Sequence, residues 1–141
     1  MTKTLLFLCA LTLAWIAAAC SGSSTTPSTT TTTAPSSPIN DTFFSSVAPG
    51  GTTIHTFTAN AGVITVTLQS SGPPDGIAIS FGIGIPTTGG RRCGLNTTLT
   101  AAPSPNASLS AAVDAGSYCV EVYDPGRLTA QTSFVLMITR P

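Results

Sequence analysis

The sequence predicts an all-β fold, a single antiparallel β-sandwich of about seven to eight strands, jelly-roll or immunoglobulin-like, following a disordered linker. Three observations predict it. After Ile39 the chain runs in short stretches of alternating apolar and polar residues, the period-2 pattern of a strand with one buried face. Gly, Pro and Asp punctuate those stretches at intervals of roughly ten to twelve residues. No segment carries an apolar stripe at helical spacing over a useful length.

Each element follows from that pattern. Phe43–Val47 is the first predicted strand, ended by Pro49-Gly50-Gly51, and Thr52–Thr58 is the second, ended by Asn60-Ala61-Gly62. Val63–Leu68 alternates most cleanly, with Ile64, Val66 and Leu68 on one face and Thr65 and Thr67 on the other. Beyond the loop Gly72-Pro73-Pro74-Asp75-Gly76, Ile77–Ile85 reads as a strand whose Gly82 and Gly84 mark a bulge or a close approach of backbone. Arg92–Thr100 has a weaker strand pattern. Ala107–Val113, Asp114-Ala115-Gly116 and Ser117–Tyr123 together read as a hairpin. Asp124-Pro125-Gly126 is a turn, and Thr132–Thr139 closes the domain.

Alternate positions then supply the core: Phe57, Ile64, Val66, Leu68, Ile79, Phe81, Leu109, Val113, Tyr118, Val120, Val122, Phe134, Leu136 and Ile138. Cys119 falls on the face away from Tyr118. Glu121 and Tyr123 share that outward face, where a charged side chain is ordinarily solvated.

The N-terminal third has another texture. Residues 1–19 carry one charge, Lys3, and then the uncharged, Leu- and Ala-rich run Leu5–Ala19, the layout of a secretory signal peptide. Ala17-Ala18-Ala19-Cys20 resembles the lipobox of bacterial lipoproteins, with Ala17 where that family prefers Leu. The resemblance implies that Cys20 is acylated and becomes the mature N-terminus. Cleavage after Ala19 without lipidation is the first alternative. An uncleaved anchor is the second, although the run is shorter than the roughly 20 apolar residues that span a bilayer. Residues 20–38 are the acylated cysteine and a Ser/Thr/Pro-rich tract with no large apolar side chain before Ile39, the composition of a flexible linker. Residues 39–141 form the sandwich domain. By the sorting rule of enteric lipoproteins, Ser21 points to the outer membrane or cell surface, with the leaflet left open.

Charge and cysteine content narrow the function. The exported portion holds Arg91, Arg92, Arg127 and Arg140 against Asp41, Asp75, Asp114, Glu121 and Asp124. Without a basic stripe, nucleic acid is not an expected partner. With Cys9 removed and Cys20 acylated, Cys93 and Cys119 remain in an oxidising compartment and are expected to pair. The bridge is expected to tie neighbouring strands, or a loop, on the outside of a sheet. A metal or redox site is the alternative, but the two cysteines and the lone His55 lack ligand spacing.

His55-Thr56-Phe57-Thr58 and Gly62–Leu68, then Ala115-Gly116-Ser117-Tyr118-Cys119-Val120-Glu121-Val122-Tyr123-Asp124 and Phe134–Ile138, resemble the bacterial pre-peptidase C-terminal domains. The resemblance covers most of residues 41–140. It implies a non-catalytic β-sandwich of the kind appended to secreted proteases and surface proteins, some of which bind calcium or collagen. This chain departs from that pattern in its Cys93/Cys119 pair and in lacking clustered carboxylates, so no metal or cofactor is expected.

No catalytic constellation assembles from the residue types. His55 is the single imidazole, and its position beside Phe57 favours a structural role. Ala78-Ile79-Ser80-Phe81-Gly82 lacks the first glycine of a nucleophile elbow, and Gly82-Ile83-Gly84 lacks the helix that phosphate binding needs. Asp75, Asp114 and Asp124 adjoin Gly or Ala-Gly or Pro and read as turn residues, the alternative being that two of them meet at a loop end around a cation. Trp15 leaves with the leader, so Tyr123, with Phe43 or Phe44, is the aromatic surface available to a glycan. The expected function is therefore a lipid-anchored, non-enzymatic module of the cell envelope that binds a protein or another envelope component. A carbohydrate-binding module is the alternative, and an accessory domain of a secreted hydrolase system comes last.

Overall fold

The computed structural model describes residues 37–87 and 89–141; the expectations for the signal peptide, Cys20 and the linker up to residue 36 lie outside the described residues. Eight strands follow in order: β1 Ile39–Val47, β2 Thr52–Ala59, β3 Gly62–Gly72, β4 Ile79–Pro86, β5 Cys93–Ala101, β6 Ser108–Val113, β7 Gly116–Tyr123 and β8 Thr132–Arg140. They form two four-stranded antiparallel sheets: sheet I, ordered β1-β8-β3-β6, and sheet II, ordered β2-β7-β4-β5. This is a sandwich with the strand arrangement of a jelly roll.

Only β4 and β5 are both consecutive and paired. Every other turn passes the chain from one sheet to the other, and this corrects the expected hairpin at Asp114-Ala115-Gly116. β6 pairs with β3, whereas β7 pairs with β2 and β4. The turn is an arch, closed by the Tyr118 hydroxyl donating to the Asp114 carbonyl at 2.8 Å. Turn chemistry reports a reversal of direction. Whether the strands it joins pair edge to edge or stack face to face depends on which partners bury their apolar sides best.

The core lies where alternation predicts. Ile64, Val66, Leu68, Ile79, Phe81, Val120, Val122, Phe134, Leu136 and Ile138 are closed to solvent, and Phe57 nearly so. Leu109, Val113 and Tyr118 are half-buried and pack against that core from its margin. Ile83 extends the Ile79–Phe81 alternation along β4, and Val47, Ala59, Ala107 and Leu128 complete the core at strand ends and in loops.

Sheet II has a second covered face. Gly82 and Gly84 point away from the core, and β5 crosses close above them. A Cβ on Gly82 would stand 2.6 Å from the Thr97 carbonyl oxygen, and one on Gly84 would collide with the carbonyl of Gly94. The register of β5 on β4 shifts between Ile83 and Gly84, as expected of a bulge beside glycines. The start of β5 thus folds over β4 towards β7.

There Cys93 and Cys119 form the expected disulfide, on the outward face. It does not join neighbouring strands, because β4 lies between β5 and β7. Two strands apart in a flat sheet, the Cα atoms would be about 10 Å from each other; here they are 5.9 Å apart. The same cover corrects the solvated role expected of Glu121. It is 7% exposed, and its Oε2 accepts the Cys93 N–H at 3.1 Å.

Asp124 is a turn residue, as its neighbours suggested. Its Oδ1 accepts the N–H groups of Gly126, Arg127 and Leu128 at 3.0, 2.7 and 3.1 Å, and its Oδ2 accepts that of Gly50 at 2.9 Å. Burial pushes its pKa up, but the four backbone donors outweigh burial and hold it below the ordinary carboxylate value.

Candidate functional site

β1 and β2 are the edge strands of their sheets, and they meet along one side of the sandwich. Period-2 alternation places Asp41 and Phe43 on one face of β1, and His55 and Phe57 on one face of β2. The Phe43 and His55 rings stack across the gap with centroids 4.8 Å apart, and Phe57 follows 6.1 Å beyond His55. Phe43 also meets Phe134 edge-on at 5.3 Å, which ties this stack to the core. His55 Nε2 lies 3.2 Å from Asp41 Oδ2, with both side chains about one-third exposed. A pair so open to water contributes at most about 1 kcal/mol. The chain's single imidazole is thus held by two aromatic neighbours and a carboxylate.

Arg140, at the end of β8, reaches over the same edge. Its Nη1 donates to the Thr58 carbonyl at 2.5 Å, and its guanidinium carbon lies 5.8 Å from the centre of the Phe57 ring. This contact occupies a backbone acceptor on the exposed edge of β2, the kind of group that would otherwise invite another strand. The Arg140 Nε is enclosed and has no hydrogen-bond partner among the described residues.

A groove of about 630 Å³ wraps this edge. Asp41, His55, Phe57 and Arg140 line its inner side, and Thr56, Thr58 and Ser117 line the outer face of sheet II. Pro86, the last residue of β4, and Gly90, within the β4–β5 connection, complete the rim. The groove offers hydroxyls, one carboxylate, one guanidinium and an aromatic wall.

The three aromatic residues expected to present a glycan platform lie on different surfaces. Phe43 points inward to His55 and Phe134, and Phe44 is 70% exposed on the outer face of sheet I. Tyr123 is half-buried on sheet II, between Thr52 and Ser80 in the register. Asp41 and Arg140, which shape the groove, stand out in the sequence only as two of its few charges. Their proximity arises from the β1–β8 register, which pairs Ile39 with Arg140 and Asp41 with Ile138. No local motif encodes it.

No family model matches this chain, and no curated protein matches it. Among solved structures it is similar to Aeromonas hydrophila PliG, a periplasmic lysozyme inhibitor of g-type lysozyme. The likeness is one of fold. The two share 18% identity with a TM-score of 0.52, over 72% of this chain and 86% of PliG.

Proposed function

We propose that this chain is an exported, lipid-anchored and non-catalytic module that binds a protein of the cell envelope. The observation that carries the reading is the β1–β2 edge. Its only imidazole is engaged by Phe43, Phe57 and Asp41, and the groove beside it is open and lined by hydroxyls, a carboxylate and a guanidinium. PliG, of similar fold, is named for inhibiting another protein, which supports a sandwich of this kind acting by association. Cys20 supplies the anchor, and the Ser/Thr/Pro tract holds the domain away from the lipid surface.

The test has two arms. Crosslinking of intact cells that express the full chain is expected to trap protein adducts. Sedimentation of the mature chain (Cys20→Ser, to keep it in solution) with cell-wall polysaccharide is expected to show none. Polysaccharide binding lost in Tyr123→Ala, with no protein adduct, would reverse the reading. Addition of the mature chain to g-type lysozyme acting on cell walls asks whether the partner resembles that of PliG.

A further inference from the structure

We propose that the β1–β2 groove takes an acidic segment of the partner protein, with carboxylates held by Arg140 inside the groove and by Arg91 and Arg92 at its rim. This rests on the protein-binding reading above and names the chemistry of the partner. Gly90 lines the groove, and Arg91 and Arg92 follow it directly, both exposed. Neither makes an ion pair among the described residues, where the pair present is that of His55 and Asp41. Around the groove these three arginines are set against two carboxylates, Asp41, which already has His55 beside it, and the buried Glu121, which accepts the Cys93 N–H. On a chain with so few charges this imbalance is local. The remaining arginine, Arg127, follows the Asp124 turn beyond the far end of β7.

Arg140 is suited to the task for two reasons. Its guanidinium is held beside the groove by Thr58 and Phe57, so it stands within reach of a ligand. Its Nε lacks an acceptor in the present arrangement, an unfavourable state for an enclosed donor. A carboxylate entering the groove and drawing the fork outward would supply that acceptor, and planar guanidinium–carboxylate pairing is the strongest of the charge-assisted contacts. The enclosed Arg140 Nε and its place beside Phe57 favour a narrow peptide segment over a flat anionic membrane.

The probe is fluorescein-labelled octaglutamate, titrated into the mature Cys20→Ser chain beside octaserine and beside vesicles containing phosphatidylglycerol. The expected result is binding of octaglutamate over octaserine, lost at high salt. Arg140→Gln is expected to weaken it about tenfold, and the double variant Arg91→Gln/Arg92→Gln to a similar degree. Arg127→Gln, which removes equal charge at the other end, is expected to leave it unchanged. Should Arg140→Gln fail to fold, the exposed loop pair still decides. Equal binding of the two peptides, equal losses in Arg127→Gln and the loop variant, or binding to vesicles in place of the peptide would overturn the proposal. If protein crosslinks in cells persist undiminished in the triple variant Arg91→Gln/Arg92→Gln/Arg140→Gln, the protein-binding reading stands and the acidic segment is excluded. Absence of crosslinks in the parent chain as well removes both.

Discussion

The two sheets share one core but treat their outer faces in opposite ways. Sheet I leaves its face open: Thr42 and Phe44 of β1, Met137 of β8, and Thr65 and Thr67 of β3 stand outward, with Ser108 and Ser110 of β6 beside them. Hydroxyl pairs cross its strands at 2.9 Å for Thr65 with Ser110 and 2.6 Å for Thr67 with Ser108. Sheet II closes part of its face with its own edge strand, through two glycines, a disulfide and the buried Glu121. The difference shows how a small sandwich can fasten an edge. β5 is folded over β4 and bonded to β7, so the Arg91–Arg92 loop leads into a fixed strand at Cys93.

Substitutions on the two faces should therefore differ in cost. The largest effect is expected from Cys93→Ser/Cys119→Ser, which removes the link across 26 residues and should lower stability by about 3 kcal/mol, measured by urea unfolding. A loss near zero would mean that β5 stays folded over without it. Next, Gly84→Ala places a methyl group against the Gly94 carbonyl and should cost about 2 kcal/mol. Thr42→Ala on the open face should stay within about 0.5 kcal/mol. Equal costs would erase the distinction between the faces. Glu121→Ala strands the Cys93 N–H and should cost about 1–2 kcal/mol, with Glu121→Gln milder because it keeps an acceptor.

A further expected effect is specific to acid. The folded-state pKa of Asp124 lies below its unfolded value, so the stability it contributes is present above the unfolded carboxylate range. It is lost as pH falls through the depressed folded value. Asp124→Asn should flatten that acid limb of the stability curve. An unchanged acid limb would show that the Gly50 and Gly126–Leu128 contacts do not depend on the charge.

The same contrast explains what could be read in the chain. β3 and β8 face water on one side, so Ile64, Val66 and Leu68, and Phe134, Leu136 and Ile138, declare their faces by alternation. β4 and β7 are covered on both faces along part of their length, and there alternation says which side meets the core but not what covers the other. Glu121 is buried where alternation alone points to solvent, while Gly82 and Gly84 mark the close approach through their missing side chains. The arch after β6 and the meeting of Asp41, His55 and Arg140 arise from sheet topology, which short-range patterns do not carry.

The most direct test of the functional account places a photoreactive side chain at Thr56, beside the groove, or at Thr67, on the open face of sheet I, in the full chain on intact cells. The account predicts a discrete protein adduct from Thr56 and none from Thr67. An adduct from Thr67 alone would move the binding surface to the opposite sheet and contradict it.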